Sequence, residues 1–203
     1  MGTSMTNSDS ATTSVTDSDA RTTSVTDSSL ATTPMILNGD FDKIDFRGEL
    51  VDGHLVAKGI LADQSAMDAI PIGMYVLDKD ATVIKCNKAA IAGWGRTPSL
   101  GTTEKYCGSH LLRYPSGDVM PHELAPPALV INNGGTVRNA DVICEHPNGN
   151  RLLALVNVFP IRDNADEVIG AVNIFRHNTS KTVPGLLPDS ANSTNSKIGE
   201  EEQ

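Results

Sequence analysis

From residue 70 onward, apolar positions come in short runs separated by polar punctuation, and the runs predict strands and short helices in a definite order. Residues 70–78 (Ile-Pro-Ile-Gly-Met-Tyr-Val-Leu-Asp) are apolar almost throughout and predict a first strand. A second short strand is expected over 82–87, only three residues later. Lys88 to Trp94 predicts a helix with Asn87 as N-cap. Residues 106–112 predict a further helical turn and 114–118 a turn. Residues 122–133 read as a helix led in by Pro121, shortened or kinked by Pro126 and Pro127, and stopped at Asn133-Gly134-Gly135. Three strands are expected at 136–146, 151–162 and 168–176, joined by polar turns at 147–150 and 163–167. One antiparallel sheet of five strands with short helices on one face, an α+β fold, satisfies that order.

The flanks follow different patterns. Residues 1–35 carry a ten-residue repeat, seen at Thr3-Ser4-Met5-Thr6, Thr13-Ser14-Val15-Thr16 and Thr23-Ser24-Val25-Thr26. One apolar residue per copy buries too little surface to offset the entropy of ordering the chain, so this segment is expected to be a disordered tail. Residues 182–203 are expected to be a second, acidic one. Between tail and strands, 36–69 predicts a partly ordered extension that docks on the main domain or on a second copy of it. Within it, Asp52-Gly53 between short apolar runs signals a hairpin. Residues 62–70 predict a helix capped by Asp63 or Ser65.

Composition changes the picture in two places. The net charge of −9 divides evenly between the two tails and the 36–181 core, so the core is nearly balanced and lacks a basic patch. A nucleic-acid partner is therefore not expected. No run approaches the ~18 apolar residues of a membrane span, and the first thirty residues lack the basic and apolar regions of a secretory signal. With three scattered cysteines and no Cys-x-x-Cys pair, a cytoplasmic protein with free thiols is expected.

Residues 70–181 resemble a PAS domain, the sensory module of bacterial kinases and cyclase-type regulators. Asn87-Lys88-Ala89-Ala90 resembles the Asn-x-Ala-Ala that follows the second PAS strand. Trp94-Gly95-Arg96, Cys107-Gly108-Ser109, Tyr114-Pro115-Ser116-Gly117 and Pro121-His122-Glu123 occur in the order of one PAS subgroup. Val168-Ile169-Gly170-Ala171-Val172-Asn173 matches the usual final strand. His177 stands where the family usually has Asp, and the residues after Lys181 are too few for an attached effector. The resemblance therefore implies a stand-alone sensory or adaptor module that binds a small ligand or a partner protein, signals by contact and forms a homodimer. Ile60, Leu61, Met67 and Ile70 would supply the dimer surface.

PAS folds commonly enclose a cavity, the default ligand site. Candidate lining residues here are Met74, Trp94, Tyr106, His110, Leu111, His122, Ala154, Val156 and Phe175, although the same residues could simply fill the core. Two sharper alternatives rest on His110 and His122. Either could be a haem ligand, making the chain a gas or redox sensor. With Cys107 they also have a spacing compatible with zinc, but no fourth ligand. A third reading is a purely structural dimerisation module. The flavin-adduct signature of photosensory relatives is absent. No nucleophile elbow, phosphate loop or HExxH motif is present, so catalysis is not expected.

Overall fold

The computed structural model describes residues 28–179. The ten-residue repeats and the acidic tail expected over 182–203 lie outside the described residues. The first element is helix α1, Ser28–Asn38, so residues 28–35, expected to belong to a disordered tail, are helical. A 3-10 turn at Phe41–Lys43 leads to a hairpin of β1 (Gly48–Val51) and β2 (His54–Ala57). Asp52 and Gly53 both have positive φ (50° and 81°), as a two-residue hairpin turn requires, which explains the Asp-Gly pair. After a 3-10 turn at Gly59–Leu61 comes α2 (Gln64–Asp68), shorter than expected. The Asp63 carboxylate caps it by accepting from the Ser65 and Ala66 amides.

The main sheet contains β3 (Gly73–Asp78), β4 (Val83–Cys86), β5 (Leu111–Arg113), β6 (Val119–Met120), β7 (Val137–Glu145), β8 (Arg151–Arg162) and β9 (Val168–His177). It has seven strands in the order β4-β3-β9-β8-β7-β5-β6, all antiparallel, rather than five. The added pair comes from 106–120. Leu111–Arg113, at the end of the helical turn expected over 106–112, is instead a strand that pairs with β7 and folds back on β6 through the turn expected at 114–118. Tyr106, at φ 64°, lies in the loop before it. A segment of three strand residues is too short to show a period, so only its partner β7 reveals its state.

Helix α3 (Lys88–Trp94) begins at Asn87, whose side chain accepts from the Ala90 amide, and ends at Gly95 in the left-handed region. The expected helix at 122–133 is two elements: a 3-10 turn at His122–Leu124 and α4 at Pro126–Asn133. Pro126 and Pro127 do not kink a longer helix. They occupy its first turn, where a missing amide hydrogen costs nothing.

The sheet is covered on both faces, not one. On the inner face, Tyr75, Leu77, Trp94, Val156 and Phe175 belong to a core with α3 and α4. On the outer face, Met74, Val76, Phe159 and Ile174 pack with Ile36, Phe46, Ile60, Leu61, Met67 and Ile70 of the extension. This explains why β3 shows no alternation: its residues are buried whichever way they point. The extension therefore docks on its own domain. The dimer surface expected from Ile60, Leu61, Met67 and Ile70 is consumed within the chain, each residue being at most 3% exposed.

One side chain ties the layers together. Asn87 is fully buried between β4 and α3. Its Oδ1 accepts from the amides of Met74 and Ala90, each at 2.9 Å. Its Nδ2 donates to the carbonyls of Met67 at 3.0 Å, Ile72 at 2.9 Å and Ile70 at 3.3 Å. A single amide thus joins the end of α2, the start of β3 and the start of α3.

Candidate functional site

The interior between the inner face of the sheet and the helices is where a ligand would sit, and aromatic side chains fill it. Trp94, the last residue of α3, is fully buried and stacks on Phe175 of β9 with ring centroids 6.1 Å apart. Tyr75 of β3 meets Trp94 edge-on at 5.0 Å. Glycines make room for this cluster. A Cβ on Gly108 would lie 2.6 Å from the Trp94 ring, and one on Gly93 would lie 2.7 Å from Phe175. The remaining cavity holds about 20 Å³. Drug-sized ligands occupy pockets of roughly 300–1,000 Å³.

Of the nine candidates, Trp94, Val156 and Phe175 line this cavity. Met74 does not, because its position in β3 turns it to the outer face among the extension's residues. Ala154 belongs to the inner core without lining the cavity. Leu111 sits on short β5, and Tyr106 contributes its backbone carbonyl, which accepts from the Tyr75 hydroxyl at 3.1 Å. His110 and His122 line a different feature, an open cleft of about 430 Å³. The sequence reading missed Tyr75, Cys107, Cys144 and Asn173, which all line the interior. Inward alternation from Tyr75 to Leu77 and the buried Asn in an otherwise apolar β9 were the available signals.

The cleft explains the order of the sequence motifs. Arg96 donates to both oxygens of Glu104, at 2.6 and 3.1 Å, and to the Gly108 carbonyl at 2.7 Å. Ser109 Oγ and His122 Nε2 lie 3.3 Å apart in a hydrogen bond. Lys105 donates to the Asp80 carbonyl and to the Thr82 hydroxyl, each at 2.8 Å. Each of these polar groups thus has a partner within the fold. Burial holds His122 below the ordinary histidine pKa against the opposing pull of Ser109, Glu123 and Glu104, which favours the neutral ring. Ser109 is itself buried, so the Ser-His pair offers no exposed nucleophile.

Neither histidine faces the interior, and about 20 Å³ has no room for a haem. The residues present do not fit that group. Among the described residues no three His, Cys, Asp or Glu side chains converge as metal ligands, so Cys107, His110 and His122 do not form the zinc set that their spacing allowed. Burial raises the Cys86 thiol to about 11 and pushes Cys144 well above the ordinary value, keeping both as unreactive thiols.

The Arg96–Glu104 pair makes a checkable contribution to acid stability. The Arg96 hydrogen bond holds Glu104 below the ordinary glutamate pKa. As pH falls, the unfolded chain therefore takes up this proton first. The stabilisation is fully present above the unfolded value and is lost as pH falls through the folded one. Glu104→Gln is expected to flatten that part of the pH–stability curve in urea titrations at successive pH values. An unchanged acid slope would show that the pair contributes nothing.

Seven antiparallel strands, an N-capped helix after the second, and a hairpin-linked triplet at the end coincide with a match to the PAS fold model over residues 67–182, more than half of the chain. The chain belongs to the PAS family. PAS domains are sensory and signalling modules. Among solved structures, the chain is similar to the PAS domain of a Colwellia psychrerythraea protein, with 21% identity, a TM-score of 0.43, and coverage of 58% of this chain and 94% of the other. It is also similar to the PAS domain of the fruit-fly ELK potassium channel, at 14% identity and TM-score 0.43, covering 56% and 91%. The fungal blue-light photoreceptor Vivid, in its light-state dimer, matches at 16% identity and TM-score 0.40, covering 53% and 78%. No curated protein matches. No helix among the described residues is long and apolar enough to cross a membrane.

Proposed function

We propose that this PAS domain is a cytoplasmic sensory or adaptor module that acts through protein contact, without catalysis, and that a second copy of the chain is its first partner. The observation that carries this reading is the filled interior: Trp94, Tyr75 and Phe175 occupy the space that a larger ligand would need. A filled interior favours a module that responds to a partner's contact over one that responds to a large bound ligand.

The outer surface supplies apolar side chains for such contact. Leu50, Val51 and Val56 of the β1–β2 hairpin are each more than two-fifths exposed. They adjoin a groove of about 450 Å³ lined by Leu55, Val56, Ile84 and Lys85, running from the hairpin to edge strand β4. Exposed apolar residues grouped beside such a groove favour contact with another chain.

Sedimentation velocity on the full chain over a wide concentration range tests the proposal. A reversible dimer is expected, and Val56→Glu is expected to weaken it at least about tenfold, or ~1.4 kcal/mol. A wild-type chain that stays monomeric at the highest attainable concentration would overturn the self-association reading.

A further inference from the structure

The interior cavity is small, but it is not simply a packing defect. Two of its lining side chains carry buried polar atoms with no hydrogen-bond partner among the described residues: Trp94 Nε1 and Asn173 Oδ1. Trp94 is 0% and Asn173 3% exposed. The indole nitrogen can only donate, and the amide oxygen can only accept. The two orphans are therefore complementary to a guest that accepts from one and donates to the other. A cavity of about 20 Å³ exceeds the roughly 10–15 Å³ that one water molecule needs.

The Asn173 amide cannot escape by turning over. Its Nδ2 donates to the Tyr75 hydroxyl at 2.9 Å, and that hydroxyl donates to the Tyr106 carbonyl at 3.1 Å. With the amide reversed, two acceptors would compete for the one Tyr75 proton, and a buried N–H₂ group would replace the buried oxygen in the cavity. The lining also selects for a neutral guest. It contains no charged side chain, and its titratable members are Tyr75 and the thiols of Cys107 and Cys144. Burial favours the protonated forms of Tyr75 and Cys144, so an ion entering here would lose its hydration without a counter-charge.

We propose that the PAS interior of this chain is a binding site for one neutral, water-sized molecule that accepts from Trp94 Nε1 and donates to Asn173 Oδ1, with water as its occupant in the purified protein. The guest completes a polar chain from α3 through β9 and β3 to the loop at Tyr106. The site is tested separately from self-association, because the guest lies on the inner face of the sheet and the exposed apolar residues lie on the outer one.

Trp94 is the only tryptophan in the sequence, so the indole proton of the ¹⁵N-labelled full chain gives one unambiguous resonance. The expected result is a cross-relaxation peak between this proton and water, with the sign of a long-lived complex, together with slow hydrogen exchange. Val156→Ile places an extra methylene at the cavity wall and is expected to abolish the water peak while the rest of the amide spectrum stays folded. If that variant does not fold, Val142→Ile, at another wall position, serves the same purpose. A wild-type indole proton without a water peak would overturn the proposal, as would a peak that persists in a folded cavity-filled variant. Either failure would leave the sedimentation result for self-association untouched.

Discussion

Asn87→Ala is expected to lower the stability of the folded domain by about 4 kcal/mol. The substitution removes an amide that makes five hydrogen bonds; the Met74 amide and the Ile70 and Ile72 carbonyls lose that partner, while the Ala90 amide keeps the Asn87 carbonyl and the Met67 carbonyl keeps the Ile70 amide. Each buried group left unpaired costs about 1–3 kcal/mol, though not additively, because the backbone relaxes. Against a total stability of roughly 5–15 kcal/mol, this is a large share. Urea titration followed by circular dichroism measures it. Asn87→Asp offers an internal comparison: the carboxylate still accepts from both amides but cannot donate to the carbonyls, and it buries a charge. Its deficit is expected to shrink as pH falls and the carboxyl takes up a proton. A loss below about 1 kcal/mol for the alanine variant would show that solvent replaces the bonds and that Asn87 is not the tie between layers.

Trp94→Ala is expected to cost about 3–5 kcal/mol. The lost ring is the plug of the interior, held by Phe175 on one side and Tyr75 on the other. The void left behind has the shape of an indole and an apolar wall, so added indole should raise the urea midpoint of the variant and leave the wild type unchanged. The gain should follow the mass-action form RT ln(1 + [L]/Kd). A variant as stable as wild type, or one indifferent to indole, would show that the neighbouring elements collapse into the space and that the aromatic plug does not define the cavity. The same experiment tests whether one side chain separates a filled PAS interior from a ligand-binding one.

Much of this architecture was legible before any coordinates. The helix at Lys88–Trp94 and the strand at Arg151–Arg162 fall where the pattern placed them, because both have local punctuation: an Asn cap and a Gly stop for one, polar turns at each end for the other. The Asp-Gly hairpin was readable for the same reason. The short strand Leu111–Arg113 was not, since three residues carry no period and the surrounding Cys, Ser and His suit a turn equally well. The candidate site was legible only in part. Trp94, Val156 and Phe175 follow from strand parity and the end of a helix. The misplacement of Met74 came from treating β3 as a strand buried on one face, when the extension buries the other.

Family and the longer elements were thus determined by the chain's own local signals: caps, turn residues and apolar runs act over a few residues and need no distant partner. Whether the interior is open or filled, and whether 36–70 meets its own domain or another copy, depended on contacts between segments far apart in the chain. Gly108 yields space to Trp94, Asn173 anchors on Tyr75, and Met67 reaches the outer face of β3. Those outcomes are set by volume and by hydrogen-bond saturation in three dimensions, and neither quantity is written in a linear pattern of polar and apolar residues.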